Sequence, residues 1–293
     1  MRALLARGAR VRVLDDFSTG RREHLEEVLA DVELHQGDVR EPQACAAALA
    51  GGVEVVFHQA ALPSVAASLE RPLLAHEVNA TGTLVLLQAA RAAGVPRLVY
   101  ASSSSVYGDA VPLPAREDAA PRPLSPYAAS KLAGEYYVRL AASLYGMHTV
   151  ALRYFNVFGP RQDPASAYAA VIPRFIARMR AGQRPVIFGD GRQSRDFTYV
   201  EDVVAANLLA AEAGPECAGQ VYNVGSGRRH DLLELVAVLN RLLGTALPPE
   251  HAPARPGDVR HSQADIARAG RELGYRPRVE FTEGLRRTLA AWR

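Results

Sequence analysis

The sequence is almost without lysine. Of its 34 Lys and Arg residues, one alone is lysine, Lys131. Cysteine is nearly as scarce, with two, and tryptophan occurs once. Two cysteines far apart exclude a disulfide-stapled scaffold, so Cys45 and Cys217 read as free thiols of a cytoplasmic protein. The eight histidines form no HxxxH spacing and there is no CxxC, which leaves a metal site without support. No apolar run approaches the roughly eighteen residues of a membrane span. The opening "MRALLARGARVRVLDD" has four arginines and no clean apolar core, so no signal peptide is visible. Charge of one sign is lacking too. The net charge is +3, and arginines alternate with Asp and Glu, which argues against a nucleic-acid stripe and leaves small anionic ligands open. Internal repeats and low-complexity tracts are absent.

What is present alternates. Runs of strand length occur at 10–16, 32–38, 53–60 and 97–105, with helical patterns between them at 21–30, 42–50, 71–93 and 126–145. Repeated β-α-β units predict an α/β chain with a Rossmann-like, doubly wound parallel sheet, helices on both faces. After "TVALRYFNVFGP" (149–160) prolines and glycines become dense. Short strands such as "PVIF" and "VYNV" mix there with helices near 167–181, 200–213 and 230–243. This predicts a smaller α/β substrate domain. The expected division gives 1–156 plus about 197–226 to a dinucleotide-binding domain, and 157–196 with 227–293 to the substrate domain.

The one lysine stands in "PYAASKLAGEYY", four residues after Tyr127. Residues four apart on a helix share a face, one turn apart. A free tyrosine, with a pKa of about 10, is a poor general base at neutral pH. An ammonium about 4 Å away contributes roughly 4 kcal/mol at an effective dielectric near 20, or about three pKa units. The expectation is that Lys131 brings Tyr127 toward neutrality, where a proton shuttle works best. A compact ammonium also reaches ribose hydroxyls in a way that a planar guanidinium does not. Alone, the spacing reads most simply as an exposed helical pair. About twenty residues earlier, however, a strand ends in "ASSSSVYG", and ligands of open α/β sheets bind at strand C-termini. Hydroxyls there, followed by a Tyr-Lys helix, form a Ser103-Tyr127-Lys131 constellation suited to moving a hydride and a proton together.

In this arrangement the chain resembles the short-chain dehydrogenase/reductase superfamily, in its extended branch of sugar-nucleotide epimerases and dehydratases. The resemblance runs along essentially the whole chain. "VLDDFSTG" (13–20) looks like that family's second strand, with Asp15 on the adenosine ribose. "GDVR" (37–40) places Asp38 and Val39 at the adenine. "FHQAA" (57–61) resembles the loop beside the cofactor, with Gln59, Ala60 and Ala61, and Asn79 in "VNATGT" the helix asparagine near it. "LRYFNVFGPRQDP" (152–164) implies Phe155 at the nicotinamide and Asn156 on the substrate diphosphate. "PVIFGDGRQSRDFTYVEDV" (185–203) and "RPGDVRHSQAD" (255–265) resemble the nucleotide-binding segments. They imply Val186 and Phe188 in the substrate site, Arg195 and Arg255 on the diphosphate, and Asp258 on the uridine ribose. Other readings stand beside these: Asp15 and Asp16 as turn starters, Asn79 as the partner of a buried backbone group, Arg195 paired with Asp190 or Asp196. His58 reads as a satisfied core residue, and Tyr107, Tyr136 and Tyr137 as packing or rim residues.

The resemblance is closest to UDP-glucose and UDP-N-acetylglucosamine 4-epimerases. It implies NAD as cofactor, a UDP-sugar as substrate and a homodimer through the helices near 71–93 and 126–145, with no membrane or nucleic-acid partner. Where dehydratases of this family carry Asp-Glu, Ser104 and Ser105 stand, and two serines cannot supply that acid and base. The expected reaction is therefore C4 epimerisation through a 4-keto sugar. The alternatives are a UDP-glucuronate epimerase or decarboxylase, a 4,6-dehydratase, or a non-catalytic binding protein. Ser262 falls where the family has a bulky tyrosine or a small residue, and a small one leaves room for an N-acetyl group. One departure concerns the front. No Gly-rich turn precedes Asp15, and the first residues read as the end of a helix and then the family's second strand. The expectation is a start assigned too late, omitting about 15–20 residues of strand and loop, and a chain of low stability and weak NAD affinity without them.

Overall fold

The computed structural model describes residues 1–165, 169–254 and 259–292. The chain forms two compact units. The first contains Met1–Val106, Ser125–Leu152 and Asn207–Val221; the second contains Tyr107–Leu124, Arg153–Ala206 and Tyr222–Arg293. Residues 107–124, expected with the dinucleotide-binding part, thus group with the second unit.

Five strands organise the first stretch of chain: β1 (Val11–Asp15), β2 (Val32–Gln36), β3 (Val55–His58), β4 (Arg97–Ser103) and β5 (His148–Tyr154). Their β-branched and aromatic residues suit a pleated, buried surface. β1 pairs in parallel with β2, from Val11 opposite Val32 to Asp15 opposite Gln36. β3 pairs in parallel with β4, from Val55 opposite Arg97 to His58 opposite Tyr100. The larger sheet runs in the order Gln220–Val224, β5, β4, β3. Parallel neighbours need crossovers, and the helices Pro42–Leu49, Gly82–Ala92 and Pro126–Tyr145 supply them. Leu49, Leu86, Leu87, Leu98, Val138 and Ala151 form the core between helices and sheet. Among the described residues no strand bonds to both β1 and β3. All five residues of β1 stay half-buried, whereas β4 buries the middle of its length.

Two elements differ from the sequence reading. Residues 21–30 form not one helix but two 3₁₀ turns, Arg22–His24 and Glu26–Asp31. The reason is a thin apolar stripe: Leu25 and Val28 are buried, three residues apart, while Leu29 faces solvent. The helical pattern 71–93 is interrupted. Pro72–His76 and Gly82–Ala92 flank a π-turn at Glu77–Thr81.

The helix Pro126–Tyr145 has its bounds written locally. Ser125 Oγ accepts from the Ala128 N–H, proline occupies the first turn, and Gly146 closes the helix at φ 66°. This helix lies close against β4, because Gly134 faces Tyr100. A Cβ at that glycine would sit 2.1 Å from Tyr100 Oη.

The second unit has its own core, built on Phe158, Ile172, Phe175, Ile187, Phe197 and Leu235. Its strands come as short pairs. Val157–Phe158 pairs in parallel with Thr198–Tyr199, Val186–Phe188 in parallel with Glu250–Ala252, and Ser194–Arg195 antiparallel with His230–Asp231. Helices Val171–Arg180, Leu232–Leu243 and Phe281–Ala290 cover them. No helix among the described residues is long and apolar enough to cross a membrane.

Candidate active site

In the first unit, β4 and the helix Pro126–Tyr145 bring three side chains together. Ser103 ends β4, and its hydroxyl lies near enough to Tyr127, in the first turn of the helix, to favour the ionised phenol. Ser105, in the 3₁₀ turn that follows β4, donates to Ser103 Oγ from its hydroxyl (2.9 Å) and from its N–H (3.2 Å). One turn along the helix, Lys131 is 3% exposed. Its Nζ donates to the Ala101 carbonyl (2.9 Å) and lies 5.1 Å from the centre of the Tyr100 ring. Burial draws the Lys131 ammonium down to about 7. A guanidinium in the same enclosed place would bring five donors instead of three, more than the site can pair.

The expectation that Lys131 lowers Tyr127 is corrected here. Burial holds the Tyr127 phenol above its ordinary range, and the group that pulls it back is the Ser103 hydroxyl. The reason is the enclosure of the phenol itself, which is the largest influence on it.

A buried polar chain braces this constellation. Asn79, fully enclosed in the π-turn, accepts from the Leu62 N–H (2.7 Å) and donates to the Leu62 carbonyl (3.3 Å) and to Ser130 Oγ (3.0 Å). Ser130 in turn donates to the Tyr127 carbonyl at 2.8 Å. Both amide protons of Asn79 are thus spent on the protein, and the residue ties the loop 59–62 to the helix of Tyr127 and Lys131. His58 is buried as well. Thr83 gives its own proton to the Asn79 carbonyl (2.6 Å), so it accepts from His58 Nε2 (2.8 Å). Burial, then the charge of Lys131, takes His58 down to about 3, which keeps it neutral.

Around the ends of β1 to β3 lie the residues expected at the cofactor. Asp15 accepts the Phe17 N–H at 2.8 Å, and Gly20 leaves the space before its carboxylate open. A Cβ at Gly20 would come within 3.1 Å of Asp15 Oδ1 and 3.2 Å of Oδ2. Asp38 is held by Arg40, whose Nε lies 3.0 and 2.9 Å from its two oxygens, and that guanidinium keeps its carboxyl below the usual range. Val39 is buried in the core. Gln59 donates to Asn207 Oδ1 (3.1 Å), with Ala60 and Ala61 following in the same loop.

The second unit contains a cavity of about 270 Å³. Asn156, Val186, Phe188 and Arg195 all line it, together with Arg174 and Gln193. Asn156 Nδ2 donates to Ser262 Oγ (3.1 Å) and to the Asp196 carbonyl (3.2 Å), so Asn156 and Ser262 meet. Arg195 NH1 lies on the Ser194 carbonyl at 3.0 Å. The Asp190 carboxylate goes to Arg260, 2.7 Å away. That of Asp196 is turned inward onto Ser226 N, Gly227 N and Ala264 N, at 2.7, 3.0 and 3.0 Å. Arg174 lies over the Phe188 ring, 5.7 Å from its centre.

A model of the NAD dependent epimerase/dehydratase family matches residues 1–225. The chain belongs to that family. A UDP-glucose 4-epimerase of Mycolicibacterium smegmatis is 40% identical over 293 residues, which is 99% of this chain and 93% of the relative. The crystal structure of a UDP-glucose 4-epimerase with UDP-glucose from Thermotoga maritima has a TM-score of 0.94 at 36% identity, covering 99% of this chain and 93% of that one. A Thermus thermophilus UDP-glucose 4-epimerase in complex with NAD has a TM-score of 0.90 at 39% identity, with the same two coverages.

For an NAD-dependent epimerase/dehydratase, the sequence named the Ser-Tyr-Lys set and four of the cavity residues. Phe155, expected at the nicotinamide, is 1% exposed, with its ring centre 6.2 Å from that of Tyr107. Arg255 and Asp258 lie outside the described residues. Sequence reasoning named Ser105 only for lacking a carboxyl, and missed Arg174, Gln162 and Gln193. The last two line the cavity with buried amide oxygens that have no hydrogen-bond partner. Their spacing carries no signal of its own, because the cavity joins segments distant in sequence. Ser105 alone had a readable cue, a second hydroxyl two residues beyond Ser103.

Proposed function

We propose that this chain is an NAD-dependent nucleotide-sugar 4-epimerase acting on UDP-hexoses, UDP-glucose and UDP-galactose first. The observation that carries the reading is the all-hydroxyl set at the end of β4. Ser103, beside Tyr127, is followed by Ser104 and Ser105, where elimination of water would need a carboxyl acid and base. Such a set moves one proton to and from a sugar hydroxyl and has no group for dehydration. The 4-epimerases that the chain is similar to support the same choice. Fold likeness alone would not, since one fold hosts several chemistries.

The residues fit a dinucleotide at Asp15, whose carboxylate faces the gap kept open by Gly20 and suits a ribose diol. When bound, NAD supplies a hydride acceptor that can return the hydride to the opposite face of the 4-keto sugar. The protein's part is to handle the proton. Tyr127 Oη takes it from the C4 hydroxyl and later gives it back. Ser103 donates to that oxygen, and Lys131 reaches a cofactor ribose hydroxyl. Asn156 and Arg195 address the diphosphate, with Val186 and Phe188 beside the nucleotide. Arginine suits that task because its planar fork matches phosphate oxygens. Ser262, small and bonded to Asn156, supports acceptance of N-acetylated hexosamines.

We also assign a homodimer through the outer face of the helix Pro126–Tyr145. Tyr136, Leu140 and Leu144 recur there every fourth residue and are each about half exposed or more.

The test is to incubate the protein with NAD and UDP-galactose, UDP-N-acetylgalactosamine or UDP-glucuronate, and to read stereochemistry at C4 by proton NMR. Inversion of UDP-galactose is expected, together with the N-acetyl sugar. Y127F should lower the rate about 10²- to 10⁴-fold. A stable 4-keto product, or loss of the C6 carbon, would replace this reading with dehydration or decarboxylation.

A further inference from the structure

Gln193 stands between the strands Val186–Phe188 and Ser194–Arg195 and lines the cavity of the second unit. It is 7% exposed. Its amide nitrogen donates to the Phe188 carbonyl at 2.7 Å. That bond settles which way round the amide stands, since the opposite placing would set oxygen against oxygen. Oε1 is the group left over, and it is buried without a hydrogen-bond partner. An enclosed acceptor left unpaired works against stability, and native proteins seldom keep one without a use.

Much of the remaining wall is apolar, with Ile172, Phe175, Phe188 and Phe197. Such side chains take a flat ring and offer it no acceptor. Arg174 and Arg195 are donors only and suit phosphate. A ring that brings an N–H into this cavity therefore needs an oxygen from elsewhere in the wall. Uracil joined to ribose has a single N–H, at N3. We propose that Gln193 is a specificity-determining residue, whose Oε1 accepts the N3–H of the uracil base. The identity of the base rests on the UDP-sugar reading given above. Cytosine carries a lone pair at N3, which the same oxygen would repel. Gln162 also lines the cavity, with an unpaired Oε1 and its amide nitrogen on the Val157 carbonyl at 3.0 Å. Gln193 is preferred because it is the more deeply enclosed and is anchored on Phe188, proposed beside the nucleotide.

Changing both partners isolates the bond. Q193M keeps the length of the side chain and removes the acceptor. 3-Methyl-UDP keeps the ring and removes the donor. Crowding by the added methyl is common to both proteins, and loss of the anchor on Phe188 is common to both ligands. What remains after comparing the four pairings is the contact itself. Q162M, treated in the same way, is the control within the same cavity.

In calorimetric titrations of the NAD-loaded protein, UDP should bind Q193M about five- to fifty-fold more weakly than the original chain. 3-Methyl-UDP should bind the two alike, within about two-fold. Q193M should also narrow the preference for UDP over CDP, and Q162M should affect UDP and 3-methyl-UDP equally. A second measurement needs no variant and serves if Q193M does not fold. The N3 proton of isotope-labelled UDP should exchange with water more slowly on the original chain than free in solution. Equal weakening of UDP and 3-methyl-UDP by Q193M, an unchanged preference over CDP, or a coupling found at Gln162 instead overturns the inference. So does an N3 proton that exchanges as fast when bound as when free. If the coupling appears while the chain inverts no UDP-sugar, the epimerase reading fails and the assignment of Gln193 stands. If UDP-sugars are inverted without the coupling, the assignment fails and the epimerase reading stands.

Discussion

His58 is held neutral by its surroundings, and that has a cost which depends on pH. Its folded pKa, about 3, lies below the ordinary histidine value, so the unfolded chain binds the proton first. Stability from this residue is complete above about pH 6.5 and is lost as the pH falls through the interval down to about 3. Within that window each pH unit should raise the unfolding constant by up to about tenfold. Urea denaturation measured at several pH values should therefore show a weaker acid dependence for H58Q than for the original chain. Parallel slopes would mean that His58 is not protonated only on unfolding. Lys131 has the same sign at higher pH. Its folded value near 7 lies below that of free lysine, so it destabilises the fold as pH drops from about 10.5 to about 7 and adds nothing further below that. Keeping an amine in this enclosed place thus works against stability at neutral pH, which fits a group retained for chemistry and not for packing.

The helix Pro126–Tyr145 decides whether these residues meet, and its seat on β4 depends on Gly134. G134A would place a methyl 2.1 Å from Tyr100 Oη and 2.5 Å from Cζ, so helix and strand must part. The expected loss is about 1–3 kcal/mol in denaturant unfolding, with a drop in turnover as Ser103 and Tyr127 separate. G134A/Y100F should recover part of it, since the phenol oxygen is the nearer clash. If G134A unfolds as the original chain does, the close seat is not needed. This element was legible in the sequence because its signals are local: Ser125, Pro126 and Gly146 mark its ends, and Tyr127 and Lys131 share a face. The π-turn at Glu77–Thr81 was not, because it answers to distant partners. Asn79 reaches Leu62 on one side and Ser130 on the other, contacts that periodicity along one segment cannot show. The same holds for Arg174 and Gln193 in the second unit's cavity. The misjudged relation of Lys131 to Tyr127 has a different origin: the spacing gave the shared face correctly, but the desolvation of both groups is a property of the packed interior.

At the scale of the molecule, two units have separate cores. The first holds Ser103, Tyr127 and Lys131, and the second the cavity lined by Asn156, Arg174 and Arg195 that is proposed for the nucleotide diphosphate. The apolar stripe Tyr136, Leu140, Leu144 belongs to the first unit and faces outward. L140R should lower the mass seen by light scattering from dimer to monomer while leaving the fold intact by circular dichroism. A monomer mass for the original chain would overturn the proposed dimer, and a dimer mass for L140R would move the interface elsewhere. The family assignment rests on nearly the full length of the relatives, so it applies to both units. The scarcity of lysine has its own outcome in the laboratory. Lys131 is the only side-chain amine of the chain, and burial lowers its pKa to about 7. Small amine-directed reagents such as cyanate would then carbamylate one defined side chain, and a bound dinucleotide would protect it. A peptide mass spectrum, which separates Lys131 from the Met1 amine that cyanate also modifies, would follow occupancy of the site with no background from surface lysines.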